Sequence, residues 1–225
     1  MGLKESGLRG SLRNVSVGIV AIPDSVVDNF EDGDLSEYDG DLDAFSVQDN
    51  VVFDGEFALE KTIEDGTRSI GSTDGLDNYI EVGDLFEFRH NWSVDPTDNG
   101  LQSWFAFGGD VTNGDPFENS FYLQLQPRSD EVRIAKRQDD EFVTLASVSN
   151  TTWPIDSWTR VEGSWANDGT ITMIYEDASG DEIASLTATD TDFQDNFGVG
   201  YFTNSESSTD DVVYLDEVLV AKGGV

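Results

Sequence analysis

Forty-six of the 225 residues are Asp or Glu, so carboxylates are the first groups to test for chemistry. Retaining glycoside hydrolysis needs two carboxyl groups about 5–5.5 Å apart across the scissile bond. An E-x-D-x-E strand supplies them, because a period of two keeps alternate side chains on one face. The nearest run here is Glu81, Asp84 and Glu87. Its spacing of three sends successive side chains to opposite faces, and Gly83 interrupts it. Chance pairs of acids are expected in so acidic a chain, so no catalytic residue is assigned and the chain reads as a non-enzyme. His90 is the only histidine, which excludes multi-histidine metal sites. It falls in phase with Phe86, Phe88 and Trp92, as a satisfied core or edge residue would, and no nucleophile-elbow motif accompanies it. The absence of Cys removes disulfides and thiolate metal sites.

Recognition chemistry is better represented. Sugar sites combine aromatic surfaces with a few placed amides and charges. Arg89, Asn91, Tyr122, Gln124, Gln126 and Arg133 occupy the polar phase of their segments, and they converge on one wet face if residues 86–137 form one meander. Arg128, Arg133, Lys136 and Arg137 fall within ten positions. They suit either an acidic partner or a solvated hairpin with compensating charge. Trp153, Trp158 and Trp165 read as core.

The elements that must position these groups are strands. Alternation and turn chemistry predict strands at 45–47, 51–53, 58–63, 79–82, 86–94, 104–107, 121–126, 132–136 and 142–148. Five more follow at 159–165, 170–176, 183–188, 197–202 and 212–221. Asp168-Gly169 suggests a two-residue type I′ hairpin, and Ser179-Gly180 a second hairpin. Phe121, Leu123 and Leu125 oppose Tyr122, Gln124 and Gln126, so one face of each sheet packs and the other meets water. No stretch of twelve residues keeps a helical period. The expectation is all-β, a two-sheet antiparallel sandwich.

Charge sets the environment. The net charge is −34, against about 2–8 in magnitude for an ordinary soluble domain. Such self-repulsion opposes compaction unless salt screens it, and at 1 M the Debye length is about 3 Å. The acids spread along the whole chain among fourteen Phe and five Trp, which is a core composition and not that of a disordered tail. This charge repels nucleic acid, and no apolar run approaches the ~18 residues of a membrane span. Residues 1–22 differ from the rest: Lys4, Arg9 and Arg13 against Glu5 give a net of +2, while the remainder carries −36. A division follows into an arm at 1–26 and a domain at 27–225. Leu3, Leu8, Leu12, Val15 and Ile19 suit a short amphipathic helix, and Val15, Val17 and Ile19 equally a strand. A signal peptide is the rival reading, but the apolar stretch of Val15 to Ile22 is short and Pro-Asp-Ser follows it.

The acidic composition resembles that of proteins from extreme halophiles. From Val27 to Val220 the chain resembles a concanavalin A-like lectin/glucanase jelly roll of the laminin-G-like kind. The resemblance rests on the opening DNFEDGDLSEY, the closing VVYLDEVLVA and two hairpin runs, Ser120 to Val148 and Trp158 to Leu186. It implies a jelly-roll β-sandwich whose first strand pairs with its last, glycan binding, and a structural calcium at Asp28, Glu31 and Asp216. Asp32, Asp34, Asp39 and Asp41 lie in the same Asp-rich loop. The leader MGLKESGLRGSLRNVSVGIVAIPDS resembles those of haloarchaeal tailed-virus structural proteins. That implies a turret, fibre or decoration protein on a virion surface, a homo-oligomer docked to other virion proteins through Leu3, Leu8, Arg9, Leu12, Arg13, Val15 and Ile19. A secreted carbohydrate-binding module is the alternative, and a glycoside hydrolase the third.

Overall fold

The computed structural model describes residues 25–63, 66–73, 76–93, 95–97, 101–110, 119–139, 141–205 and 211–225. The docking-arm residues from Leu3 to Ile19 therefore lie outside the described residues.

Fifteen strands are described: β1 (Ser25–Asp28), β2 (Tyr38–Gly40), β3 (Phe45–Gln48), β4 (Ala58–Ile63), β5 (Gly66–Ser72), β6 (Asp84–Trp92), β7 (Gln102–Gly109) and β8 (Ser120–Gln126), then β9 (Glu131–Gln138), β10 (Glu141–Ser149), β11 (Thr159–Trp165), β12 (Thr170–Glu176), β13 (Glu182–Thr189), β14 (Gly198–Ser205) and β15 (Asp211–Ala221). They form two antiparallel sheets. The eight-stranded sheet runs β13-β12-β11-β6-β15-β4-β3, with β1 on β15; the seven-stranded sheet runs β10-β9-β8-β7-β14-β5-β2. The first strand does pair with the last: Ser25 lies opposite Val220 and Val26 opposite Leu219.

The inner faces follow the alternation. Phe86 and Phe88 of β6 meet Phe105 and Phe107 of β7, with Phe88 stacked on Phe105 at 4.6 Å. Phe121, Leu123, Leu125, Ile134, Val161 and Trp165 complete the centre. Each such side chain stabilises the fold by about 1.5–3 kcal/mol through burial. Gly163 lets β11 pass close: a Cβ there would overlap the Phe86 ring and sit 3.0 Å from Leu123.

Several expectations change. Residues 51–53 and 79–82 are loops, while β1, β2 and β5 are strands that the pattern did not announce. β5, Gly-Thr-Arg-Ser-Ile-Gly-Ser, has one large apolar residue, Ile70, and its strand form comes from pairing with β14 and β2. The 166–170 turn is a three-residue loop, because only Gly169 is left-handed (φ +82°) and its N–H donates to Ala166 O at 2.9 Å. Gly180 (φ +78°) repeats the arrangement with Asp177. A right-handed pair followed by a left-handed Gly supplies the strand twist that a type I′ turn would otherwise give. His90 is a core residue, edge-on to Trp92 at 4.5 Å, yet neither ring nitrogen has a hydrogen-bond partner among the described residues. Burial pushes its pKa down to about 3, so it stays neutral.

Candidate functional site

The meander expected over 86–137 is broken between β6 and β7. β6 lies in the eight-stranded sheet and β7, β8 and β9 in the other, so the six proposed recognition residues separate into two groups. Arg89 and Asn91 stand on the outer face of the eight-stranded sheet. The Arg89 guanidinium lies 4.6 Å over the Phe53 ring and pairs with Glu87 at 3.1 Å and Glu217 at 3.5 Å. Asn91 faces Tyr214 of β15, and its Oδ1 is buried without a partner among the described residues.

Tyr122, Gln124, Gln126 and Arg133 do share one surface, the outer face of the seven-stranded sheet. Register places Phe202, Trp104, Gln124 and Arg133 in one row across β14, β7, β8 and β9. The next row is Gly200, Ala106, Tyr122 and Ala135, whose small members leave space round the tyrosine. Into that space lean the larger aromatics. Trp104 stacks on Phe202 at 4.2 Å and 6°, and meets Phe142 of β10 edge-on at 5.0 Å. Phe142 in turn lies 5.2 Å from Tyr122, with the Arg137 guanidinium 5.8 Å over its ring. Phe142 is 43% exposed while Tyr122 is fully covered. The face is thus not the bare wet surface that alternation suggests but an aromatic floor.

Amides border it. Gln126 Nε2 donates to Gln124 Oε1 at 2.7 Å, and the Ser129 hydroxyl donates to Gln126 Oε1 at 3.1 Å. Arg133 Nε donates to Glu131 at 2.8 Å. The Trp104 indole N–H is buried without a partner among the described residues. Trp104, Phe142 and Phe202 were not among the residues picked from the sequence. Each reads in isolation as one more core aromatic; only the cross-strand rows reveal their shared outward phase.

The three carboxylates that the resemblance assigns to calcium are each engaged in hydrogen bonds within the chain. Both oxygens of Asp28 are occupied, one accepting the Phe30 N–H at 2.7 Å and one the Tyr38 hydroxyl. Glu31 accepts the N–H groups of Glu56 at 2.9 Å and Phe57 at 3.0 Å. Asp216 accepts those of Phe53 at 2.8 Å and Glu217 at 2.7 Å. Burial raises both aspartates to about 6. Asp28 thus ties β1 to Tyr38 of β2, Glu31 fastens the 56–57 segment, Asp216 holds the 53–54 loop to β15, and the three do not form one cluster. Among the described residues, one group of three acids has oxygens all within 4.8 Å of one another, Asp32, Asp34 and Glu37. Their hard oxygen donors fit calcium chemically. Catalytic geometry does not emerge from the 81–87 run: Glu81 and Asp84 both pair with Lys222, at 2.7 and 3.0 Å, and Glu87 pairs with Arg160.

No family model and no curated protein matches the sequence. Solved structures do match the fold. A carbohydrate-binding module (CBM66) from Bacillus subtilis superposes with a TM-score of 0.55 at 13% identity, over 83% of this chain and 96% of that one. The metal-free carbohydrate recognition domain of Emp46p gives 0.57 at 12% identity, over 89% and 96%. The exoplasmic/lumenal domain of VIP36, bound to Ca2+ and Man3GlcNAc, gives 0.50 at 10%, over 83% and 84%. The fold is the lectin-like jelly roll. At these identities the likeness establishes architecture alone, and any ligand must be argued from the residues of this chain.

Proposed function

We propose that this protein is a non-catalytic glycan-binding module adapted to concentrated salt, and that the outer face of its seven-stranded sheet is the binding surface. The observation that carries this reading is the aromatic floor of Trp104, Phe142 and Phe202, packed over a covered Tyr122 on the solvent side of a sheet, with Arg133 beside it and the buried Gln124–Gln126 pair beneath. Aromatic rings take the C–H faces of a pyranose, while amides and a guanidinium take its hydroxyls. The carbohydrate-binding module and the carbohydrate recognition domain of like fold support the ligand class. Calcium belongs to this reading as a structural ion at Asp32, Asp34 and Glu37, outside the aromatic floor.

A glycan array probed in about 2–3 M salt tests it, with the salt chosen to shorten the Debye length to a few ångströms. Binding should fall at least about tenfold, roughly 1.4 kcal/mol, in both Trp104→Ala and Phe142→Ala. An array without hits, or hits indifferent to both substitutions, refutes the assignment.

For location, the reading is the surface of a haloarchaeal virus particle, with the segment before β1 as the docking arm, since Ser25 and Val26 of the expected 1–26 arm pair with β15; the basic charge and leader resemblance of residues 1–22 support it. Deleting 1–22 should leave a folded module that no longer joins the particle, and retained incorporation would sink the idea.

A further inference from the structure

On one side of the sandwich both sheets end in strands that carry almost no charge. β10 closes the seven-stranded sheet and β13 the eight-stranded one, and the two strands pack against each other. Residues 142–155 are fourteen consecutive uncharged residues, the longest such run in a chain of net charge −34. Ile183 to Thr189 adds seven more on β13. The opposite side of the sandwich, at β2 and β3, carries Asp39, Asp41, Asp43 and Asp49.

β10 also lacks most of the usual guards of a free edge. An edge strand offers a row of unpaired N–H and C=O groups, and proteins commonly blunt it with Lys, Pro or inward charge. β10 has none of these over Phe142–Ser149, and Phe142 and Val143 are both exposed. The one guard it has is the bulge between Thr144 and Ala146.

We infer that β10 is a homodimer interface, pairing antiparallel with β10 of a second copy across a two-fold axis between Leu145 and Ala146. A second copy is the occupant these features favour because the strand is self-complementary in that register. Val143 falls opposite Val148 of the second copy, both on the inner face. Thr144 falls opposite Ser147, both on the outer face, where β9 places Ala135 and Arg133 beside them. Glu141, the one acid of the strand, meets Asn150 and no other acid. Elsewhere copies repel one another, so this side is where they can approach. The result joins two seven-stranded sheets into one and sets both outer faces on a continuous surface.

Sedimentation equilibrium of the full chain tests this. The mass should double in about 2 M salt and shift towards monomer near 0.1 M, as screening is lost. Thr144→Glu with Ser147→Glu sets like charges directly opposite each other and should weaken association at least about tenfold. Thr144→Lys with Ser147→Glu replaces repulsion by attraction in the same register and should restore it. Ser46→Glu on β3 should change nothing. Unaltered circular dichroism in the variants separates a lost interface from a lost fold. A monomer in both salts, an oligomer indifferent to the double glutamate, or failure of the Lys–Glu pair to restore it overturns the inference. None of these outcomes bears on glycan binding by the isolated module, which the array reads independently.

Discussion

Replacing Asp28 by Asn should stabilise the protein at pH 8 and make little difference near pH 3.5. Asp28 is largely buried beside β15, and burial lifts its pKa from 3.8 to about 6 despite the hydrogen bonds from Tyr38 and Phe30. A folded pKa above the unfolded one means that the native state binds more protons between those values. Stability from this group is therefore complete below about pH 3.8 and declines as pH rises towards 6. About two pKa units at 1.4 kcal/mol each set a ceiling near 3 kcal/mol. The amide keeps an oxygen for the Phe30 N–H and can donate to the Tyr38 hydroxyl, so the net gain should be about 1–3 kcal/mol at pH 8. Denaturant unfolding in about 2 M salt, at unit steps from pH 4 to 8, measures it. The gap between variant and parent should open between pH 4 and 6 and then stay constant. A variant no more stable at pH 8, or a gap that ignores pH, would refute the burial argument.

Two further outcomes follow from packing and charge. Gly163→Ala drives a methyl group into the Phe86 ring, with Leu123 closing the other side, and overpacking of that kind should cost about 1–3 kcal/mol in thermal unfolding. Arg160→Met removes the cation that bonds Glu87 at 2.6 Å, Glu176 at 3.0 Å and Glu162. Three carboxylates are then left facing one another, so stability should drop by about 1–3 kcal/mol near 0.1 M salt and by clearly less at 2 M, read from paired denaturation curves.

How far the sequence could be read depended on which interaction decides each element. β4, β11 and β12 lie where their alternation places them, residue for residue, because one face of each is packed by the core and a one-residue slip would expose it. β5 and β2 were illegible because Gly66–Ser72 and Tyr38–Gly40 carry little apolar pattern and take strand form from long-range pairing. The aromatic floor fails for a related reason. Phe202 lies more than sixty residues from Gln124, and only the order β8-β7-β14 puts them in one row. Alternation gives the face of a residue within its strand. It does not say which sheet holds the strand, and on that point Arg89 and Asn91 parted from Tyr122, Gln124, Gln126 and Arg133.

The distribution of charge ties these surfaces together. Three cations of the domain act as braces between its own acids: Lys136 lies 2.6 Å from both Asp190 and Asp192, Lys222 bridges Glu81 and Asp84, and Arg160 gathers three glutamates. Mutual repulsion among the remaining acids must then be met by dissolved salt, so acid can be kept wherever hydration is undisturbed. Covering a carboxylate with a neutral sugar or another strand would cost its solvation with no opposite charge in return. Surfaces meant to be covered should accordingly be cleared of acid. The aromatic floor and the β10–β13 side meet that condition in a chain where one residue in five is acidic. On the proposed reading, scarcity of acid marks the surfaces to be covered in this chain, as a charged cluster would in a neutral one.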